Sequence, residues 1–352
     1  MIGRLFLCNC SAYTKQAIAL GVSHDAIDVA MEYAEQLHKK SLPIIYDQQH
    51  FFQFVGYDKA YVMAIVNQPK SFYKKYSIPK RNGEHRIIHE PFPSLKEIQT
   101  WILEYILNPG AKTYVSSVAK AYMPKQSVRD NARFHKGQKY VLCLDLKDFF
   151  GSISFRQVFS VFKNMGYSKA LATLLSNICI LNNSLPQGAP TSPMLSNMVF
   201  RYYDDKIFDY CKSKNIRYTR YADDLTFSGD FNCKEVVSFI RKVLSKTSFA
   251  INDNKTKFVS RGNRQEVTGI VVNEKLQASA IYRKKIRQEV YYIIKFGVDK
   301  HLEAIKWERS IIDYLHHLLG RINFTLTINK NDSEMRKYYE YIHSVLKEYK
   351  EE

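Results

Sequence analysis

Three aspartates, each delivered by a short apolar or aromatic run, constrain this chain more than any other feature. Tyr140-Val141-Leu142-Cys143-Leu144 is brief, apolar and partly β-branched, as a strand buried on both faces would be, and it ends on Asp145. A second strand-like stretch, Ile216 to Tyr221, runs into Ala222-Asp223-Asp224 and continues through Leu225-Thr226-Phe227 to Ser228-Gly229. Two strands joined by a carboxylate-bearing turn are expected there. If these strands are neighbours, three like charges converge, and such a cluster repels itself unless cations fill it. Mg²⁺ suits that role because it takes oxygen ligands while keeping waters and phosphate oxygens in its shell. Mn²⁺ suits the same ligands. Two ions about 3.5–4 Å apart could activate an attacking hydroxyl and stabilise a leaving pyrophosphate. An Asp-Asp pair in a turn is also ordinary turn chemistry, so its neighbourhood has to decide.

That neighbourhood is a large, basic, mixed chain. With 352 residues, 45% of them hydrophobic and 14% aromatic, it can bury a substantial core and is neither disordered nor a small stapled scaffold. Its 52 Lys and Arg against 34 Asp and Glu give a formal charge of +18, which favours a polyanionic partner. No apolar run approaches the roughly 18–20 residues that cross a bilayer, and Leu5-Phe6-Leu7-Cys8 is too short for a secretory core. A cytoplasmic protein without a membrane partner is expected. The six cysteines lie scattered with no CxxC pair and no matching histidines, so neither a zinc site nor a disulfide framework is indicated.

Pattern changes divide the chain. Residues 1–70 read as helical, with Ser23 leading into Ala26, Ile27, Val29, Ala30 and Tyr33 as an apolar face. In Ile78-Pro79-Lys80-Arg81-Asn82-Gly83-Glu84-His85-Arg86-Ile87-Ile88, Asn-Gly supplies a tight turn between two extended arms, projecting Lys80, Arg81 and Arg86. Ser94-x-x-Glu97 reads as a capping box ahead of a helix carrying Leu95, Ile98, Ile102 and Tyr105, and Ser154-x-x-Gln157 as another, ahead of Phe155, Val158, Phe159 and Phe162. Beyond residue 280 the chain is again helical and basic, opening on Arg283, Lys284, Lys285 and Arg287.

Set beside one another, these segments resemble a known family. Tyr221-Ala222-Asp223-Asp224 matches the YADD box of reverse transcriptases, and VLCLDLKDFFGSI, Val141 to Ile153, resembles their first catalytic motif. Between them Leu185-Pro186-Gln187-Gly188-Ala189-Pro190-Thr191-Ser192-Pro193 resembles the family's PQG-type motif. Asn131-Ala132-Arg133-Phe134-His135 fits an NAxxH element and Val267-Thr268-Gly269 a VTG element, and together these resemble bacterial retron reverse transcriptases. The resemblance covers roughly residues 70–330.

The resemblance implies roles by position. Asp145, Asp223 and Asp224 would bind two Mg²⁺ ions, and Lys255 would give a proton to the leaving pyrophosphate. Phe150 would stand against the sugar 2′ position and exclude ribonucleotides. Gln187 and Gly188 would approach the incoming nucleotide and the template. Arg86, with Lys80 or Arg81, would neutralise the triphosphate of a deoxynucleotide. Lys284, Lys285 and Arg287, grouped with the Asn131, His135, Val267, Thr268 and Gly269 motifs, would serve RNA binding, helped by aromatics such as Tyr291, Tyr292 or Phe296.

The fold so implied is α+β, a right-hand polymerase with fingers, a ferredoxin-like antiparallel palm and a helical thumb. Its expected limits are an N-terminal helical extension at 1–70, fingers at 71–139, a palm at 140–275 with part of the fingers inserted near 155–190, and a thumb at 276–352. The implied activity is RNA-directed DNA synthesis on a structured noncoding RNA, starting from an internal guanosine 2′-hydroxyl and leaving branched, RNA-linked DNA (msDNA). Phage defence with a separately encoded effector protein is implied too. Three other readings stay open: another bacterial reverse transcriptase, defence-associated or of the group II intron kind; an RNA-binding scaffold that sequesters an effector; and template-independent nucleotide addition by the same palm.

Overall fold

The computed structural model describes residues 15, 18–79 and 83–351. Its elements in chain order are α1 (His24–Lys39), α2 (Gln48–Val55), α3 (Lys59–Asn67), β1 (Tyr73–Pro79), β2 (His85–Pro91), α4 (Pro93–Ile102), α5 (Asn108–Tyr114), α6 (Val128–Arg133), β3 (Tyr140–Asp145), α7 (Phe155–Met165), α8 (Lys169–Cys179) and α9 (Ser192–Ser213). Then come β4 (Arg217–Tyr221), β5 (Asp224–Gly229), α10 (Cys233–Leu244), β6 (Lys257–Ser260), β7 (Glu266–Val267), β8 (Ile270–Val271), β9 (Gln277–Ala278), α11 (Ala280–Phe296), α12 (Val298–Ile305), α13 (Ile311–Ile328) and α14 (Ser333–Glu351). The chain forms two compact units from interleaved stretches: Met1–Met123, Leu146–Asp209 and Ser238–Ile251 in one, Pro124–Asp145, Tyr210–Val237 and Asn252–Glu352 in the other.

The first unit is helical around one two-stranded ribbon. Ser23 caps α1, its hydroxyl accepting from the Ala26 amide. The buried face of α1 is Ile27, Ala34 and Leu37; Val29 points to solvent, so the expected apolar face is rotated from its sequence assignment. β1 and β2 pair antiparallel from Tyr73–Pro91 to Pro79–His85, as the Asn-Gly signal requires. Helix α4 buries Leu95, Ile98 and Ile102 completely, as expected. Its start differs from expectation: Pro93 occupies the first turn and no side chain caps it. Proline, with φ fixed and no amide to satisfy, begins the helix unaided. Ser94 is spent on the Tyr61 hydroxyl and Glu97 accepts from Tyr57 Oη at 2.8 Å, so the capping box read there does not form. The box at α7 does: Gln157 Oε1 accepts from the Ser154 amide at 2.9 Å, and Val158 and Phe162 are fully buried.

The second unit holds a four-stranded sheet in the order β4-β5-β3-β6, every pairing antiparallel. Along the chain this is strand, helices, hairpin, helix, strand, the ferredoxin-like connectivity expected of the palm. One face carries Leu142, Leu144, Tyr218, Leu225 and Phe227, all buried. Residues two apart share a face, so Asp145, Cys143, Thr219, Asp224, Thr226 and Ser228 stand together on the other. Toward the C-terminus, α11 to α14 bury Ile286, Val290, Ile293, Leu315, Leu318, Ile322, Met335 and Ile342 as one apolar core. Among the described residues, no helix is long and apolar enough to cross a membrane. The described cysteines, Cys143, Cys179, Cys211 and Cys233, are free thiols.

Candidate active site

The carboxylates meet because two strand registers put them there. Asp145 ends β3 directly opposite Asp224, the first residue of β5. Tyr221 pairs with Asp224 across the β4–β5 hairpin, leaving Ala222 and Asp223 as its two-residue turn. Ala222 sits at φ +58°, a left-handed conformation that a Cβ disfavours, and the buried Arg220 holds it by donating to the Ala222 carbonyl at 3.0 Å. Burial, followed by the charges of Asp223 and Asp145, pushes the Asp224 carboxyl up to about 6, against the lowering influence of Lys255 and Lys257.

Asp145 is held from both oxygens. Lys255 Nζ donates to Oδ1 at 2.8 Å and Asn252 Nδ2 to Oδ2 at 3.2 Å, while the Asn252 amide donates to the Asp145 carbonyl at 2.7 Å. Hydrogen bonding to Asp145 raises the Lys255 pKa above the usual lysine value, so the ammonium is a positive charge fixed at the carboxylates. Among the described residues, no group of three or more His, Cys, Asp or Glu side chains is placed to hold a metal ion by itself. The acids fit an open site instead: opposed carboxylates with a self-repelling charge, to which phosphate oxygens and waters would add the remaining ligands.

Behind the carboxylates lies a buried polar network that sequence reading did not foresee. Asn131 and His135 are fully buried. Thr219 Oγ1 donates to Asn131 Oδ1 at 2.6 Å, so its oxygen accepts from His135 Nε2 at 2.7 Å. His135 Nδ1, left without a proton, accepts from Ser228 Oγ at 2.7 Å. Burial holds His135 down to about 3, which keeps this tautomer neutral. Asn131 Nδ2 also reaches Thr268 Oγ1 at 3.5 Å. Thr268 and Gly269, at φ +47° and +83°, make the tight turn between β7 and β8, beside the fully buried Val267. The NAxxH and VTG segments, grouped in the sequence with RNA-binding residues, thus converge on Asn131 inside the protein and tie the β4–β5 hairpin to them. The missed members, Thr219 and Ser228, carried one faint signal: small hydroxyl side chains set inside strand-forming runs.

Phe150, Gln187, Gly188 and Arg86 belong to the first unit. Phe149 is buried against Phe200 and Phe249, whereas Phe150 is half-buried with its ring 5.7 Å from Phe149 and 6.4 Å from Tyr122. The Gln187 carbonyl accepts from the His89 amide of β2 at 2.8 Å. At Gly188, φ is +121° and a Cβ would stand 2.6 Å from the His89 carbonyl oxygen, so only glycine lets the loop lie against the ribbon. Arg86 is exposed on β2 opposite Ile78. Lys80 and Arg81 lie outside the described residues. Near the C-terminus, Arg287 is committed to Glu334 at 2.6 and 2.9 Å, while among the described residues Lys284 and Lys285 form no ion pair.

Comparison with known proteins agrees with this geometry. Residues 78–315 match the family model of reverse transcriptase (RNA-dependent DNA polymerase). The chain is 32% identical to the retron Ec86 reverse transcriptase of Escherichia coli over 283 residues, 79% of this chain and 82% of the relative. Against the retron Ec83 reverse transcriptase of Escherichia coli the identity is 32% over 306 residues, 82% of this chain and 93% of the relative. With the retron Mx65 reverse transcriptase of Myxococcus xanthus it is 34% over 282 residues, 74% and 62% respectively.

Proposed function

The chain belongs to the reverse transcriptase family, among the retron enzymes, and on that premise we propose that it copies a structured noncoding RNA into branched, RNA-linked DNA by a two-metal mechanism. The observation that carries the reading is the register that sets Asp145 opposite Asp224 with Asp223 in the adjoining turn. Mg²⁺ ions bound by these carboxylates would supply the positive charge that activates a hydroxyl and stabilises pyrophosphate as it leaves. The chain's own residues do the positioning. The Ala222–Asp223 turn and the Asn131–His135 network fix the carboxylates. Asn252 orients Asp145, and Lys255 offers a proton beside it.

The remaining roles follow the family motifs. Phe150 selects deoxynucleotides, Gln187 and Gly188 seat the nucleotide against the template, and Arg86 with Lys80 or Arg81 holds the triphosphate. Residues 71–139 serve as fingers, 140–275 as palm and 276–352 as thumb. The RNA primes through a guanosine 2′-hydroxyl, and the resulting complex works with a separately encoded effector in antiphage defence. The retron relatives support this placement, and the charge of +18 supports a nucleic-acid partner.

Extension of oligo(dT) on poly(rA) tests the polymerase. We expect DNA synthesis that requires a divalent ion and template, with loss of at least about 10³-fold in Asp223→Asn, as for removal of a principal electrostatic group. Synthesis that persists without template would replace this reading with untemplated nucleotide addition. A variant as active as the wild type would refute the assignment of Asp223.

A further inference from the structure

We propose that Tyr122 is a specificity-determining residue for nucleotide addition, acting through Phe150 by holding its ring in the pose that separates deoxyribose from ribose. Tyr122 lies between the β1–β2 ribbon and the NAxxH segment and belongs to neither. The inference rests on the reading of Phe150 as the residue that meets the sugar 2′ position.

Two features set Tyr122 apart. Its backbone sits at φ +61°, in the left-handed region where a bulky side chain is rarely found and strain is stored. Its ring is nevertheless 45% exposed. A tyrosine that fills a core would be buried, and an idle tyrosine on a loop would relax into an ordinary conformation. Strain kept for the sake of an exposed ring points to a task for that ring.

The interior holds the strained residue in place. Asn197 of α9 is fully buried, and its Nδ2 donates to the carbonyl of the buried Ala121 at 2.8 Å. The Ala119 amide donates to the Ser116 carbonyl at 3.1 Å, and the Ser116 hydroxyl donates to Asp205 Oδ1 of α9 at 2.7 Å. The segment leading to Tyr122 is thus pinned to α9, and all of these residues belong to the first unit.

Tyr122 meets Phe150, with ring centroids 6.4 Å apart and planes inclined by 58°. The backbone of Phe150 is already set by its own turn. The Ser152 amide donates to the Asp148 carbonyl at 2.9 Å and the Ile153 amide to the Phe150 carbonyl at 3.2 Å. A Cβ at Gly151 would stand 2.1 Å from Asp148 Oδ2, so that carboxylate fills the space a side chain would need. The half-buried Phe150 ring is less constrained. Among the described residues two rings touch it: Phe149, at 5.7 Å and locked against Phe200 and Phe249, and Tyr122. Without Tyr122 the Phe150 side chain would keep one aromatic neighbour and gain rotamer freedom. Rejecting a sugar by one oxygen atom needs a wall that stays where it is put.

The test is single-nucleotide extension of poly(rA)·oligo(dT) by the full chain with dTTP or UTP, read as the ratio of the two kcat/KM values. That ratio does not depend on how much of a variant is folded. Tyr122→Ala should lower it about 10- to 100-fold, the scale of a misplacement of about 1 Å, chiefly by raising kcat/KM for UTP. Tyr122→Leu, which keeps bulk but not the ring, should do the same, and Tyr122→Phe should keep the wild-type ratio. Adding Tyr122→Ala to Phe150→Ala should lower the ratio no further than Phe150→Ala alone, as for a residue that acts through another. Wild-type discrimination by both Tyr122→Ala and Tyr122→Leu overturns the proposal, and so does a double variant that shows the product of the two single effects. A Phe150→Ala variant with the wild-type ratio removes the sugar-selection reading and this proposal with it. Relaxed selection in Phe150→Ala beside unaltered Tyr122 variants removes the proposal alone.

Discussion

At the residue scale, the site is a balance of buried charge. Asp224 is held up to about 6, first by burial and then by Asp223 and Asp145. A raised carboxyl pKa means that the folded chain holds this proton more tightly than the unfolded chain. The associated stability is therefore fully present below the ordinary aspartate value near 3.8 and is lost as pH rises through about 6. Asp224→Asn should then raise the stability of the metal-free protein near neutral pH by about 1–3 kcal/mol, with the gain vanishing toward pH 4. Thermal unfolding in EDTA across that range checks the sign, and a variant less stable than wild type near neutrality would contradict it. Divalent-ion affinity should fall as pH drops below about 6, because a proton competes for Asp224; isothermal titration with Mn²⁺ at two pH values reads this directly. The Asn131–Thr219–His135–Ser228 network makes the opposite prediction for an uncharged change. Thr219→Val leaves Asn131 Oδ1 and His135 Nε2 buried without their partner, at a cost of about 1–3 kcal/mol per group. Denaturant unfolding should show that loss, and an unchanged midpoint would mean that the network does not hold the hairpin.

At the scale of elements, the argument turns on which contacts are written in local pattern. β3 and β5 were legible because buried strands need runs of apolar or aromatic residues, and the acids interrupt those runs at their ends. The β1–β2 ribbon was legible from Asn82-Gly83 alone, although Asn82 itself lies outside the described residues. The start of α4 was not, since Ser94 and Glu97 bond to Tyr61 and Tyr57, more than thirty residues away in sequence, and nothing local reveals that competition. The face of α1 was misjudged at Val29 for the same reason: several apolar residues fit a helical stripe, and the packing partner chooses among them. Asn131 and His135 were found by motif, yet their interior position depends on Thr219, Ser228 and Thr268, which come from three other segments. The seating of the Gln187–Gly188 loop on β2 is likewise a tertiary fact. It predicts that Gly188→Ala lowers kcat/KM for nucleotide addition by about 10²-fold while the global unfolding midpoint changes little, since the added methyl would displace the loop rather than open the core. Steady-state kinetics on poly(rA)·oligo(dT) decide it, and wild-type efficiency would show that the loop does not position substrate.

For the whole molecule, the formal charge of +18, with Lys284 and Lys285 on α11, predicts binding driven by counterion release. RNA affinity should fall linearly in a plot of log K against log salt, and a slope near zero would leave the excess charge unexplained. The family membership, the palm connectivity and the opposed carboxylates all support an RNA-directed DNA polymerase, and the product proposed for it is DNA still attached to its RNA. The most direct measurement is to express the chain with its native upstream RNA region and extract the nucleic acid, beside an Asp223→Asn, Asp224→Asn double variant. Treatment with debranching enzyme then shows how the DNA is joined. The account predicts a short DNA that depends on the intact carboxylates and is released from its RNA by that enzyme. DNA unaffected by debranching would contradict the retron product, and DNA equally abundant in the double variant would contradict the catalytic site itself.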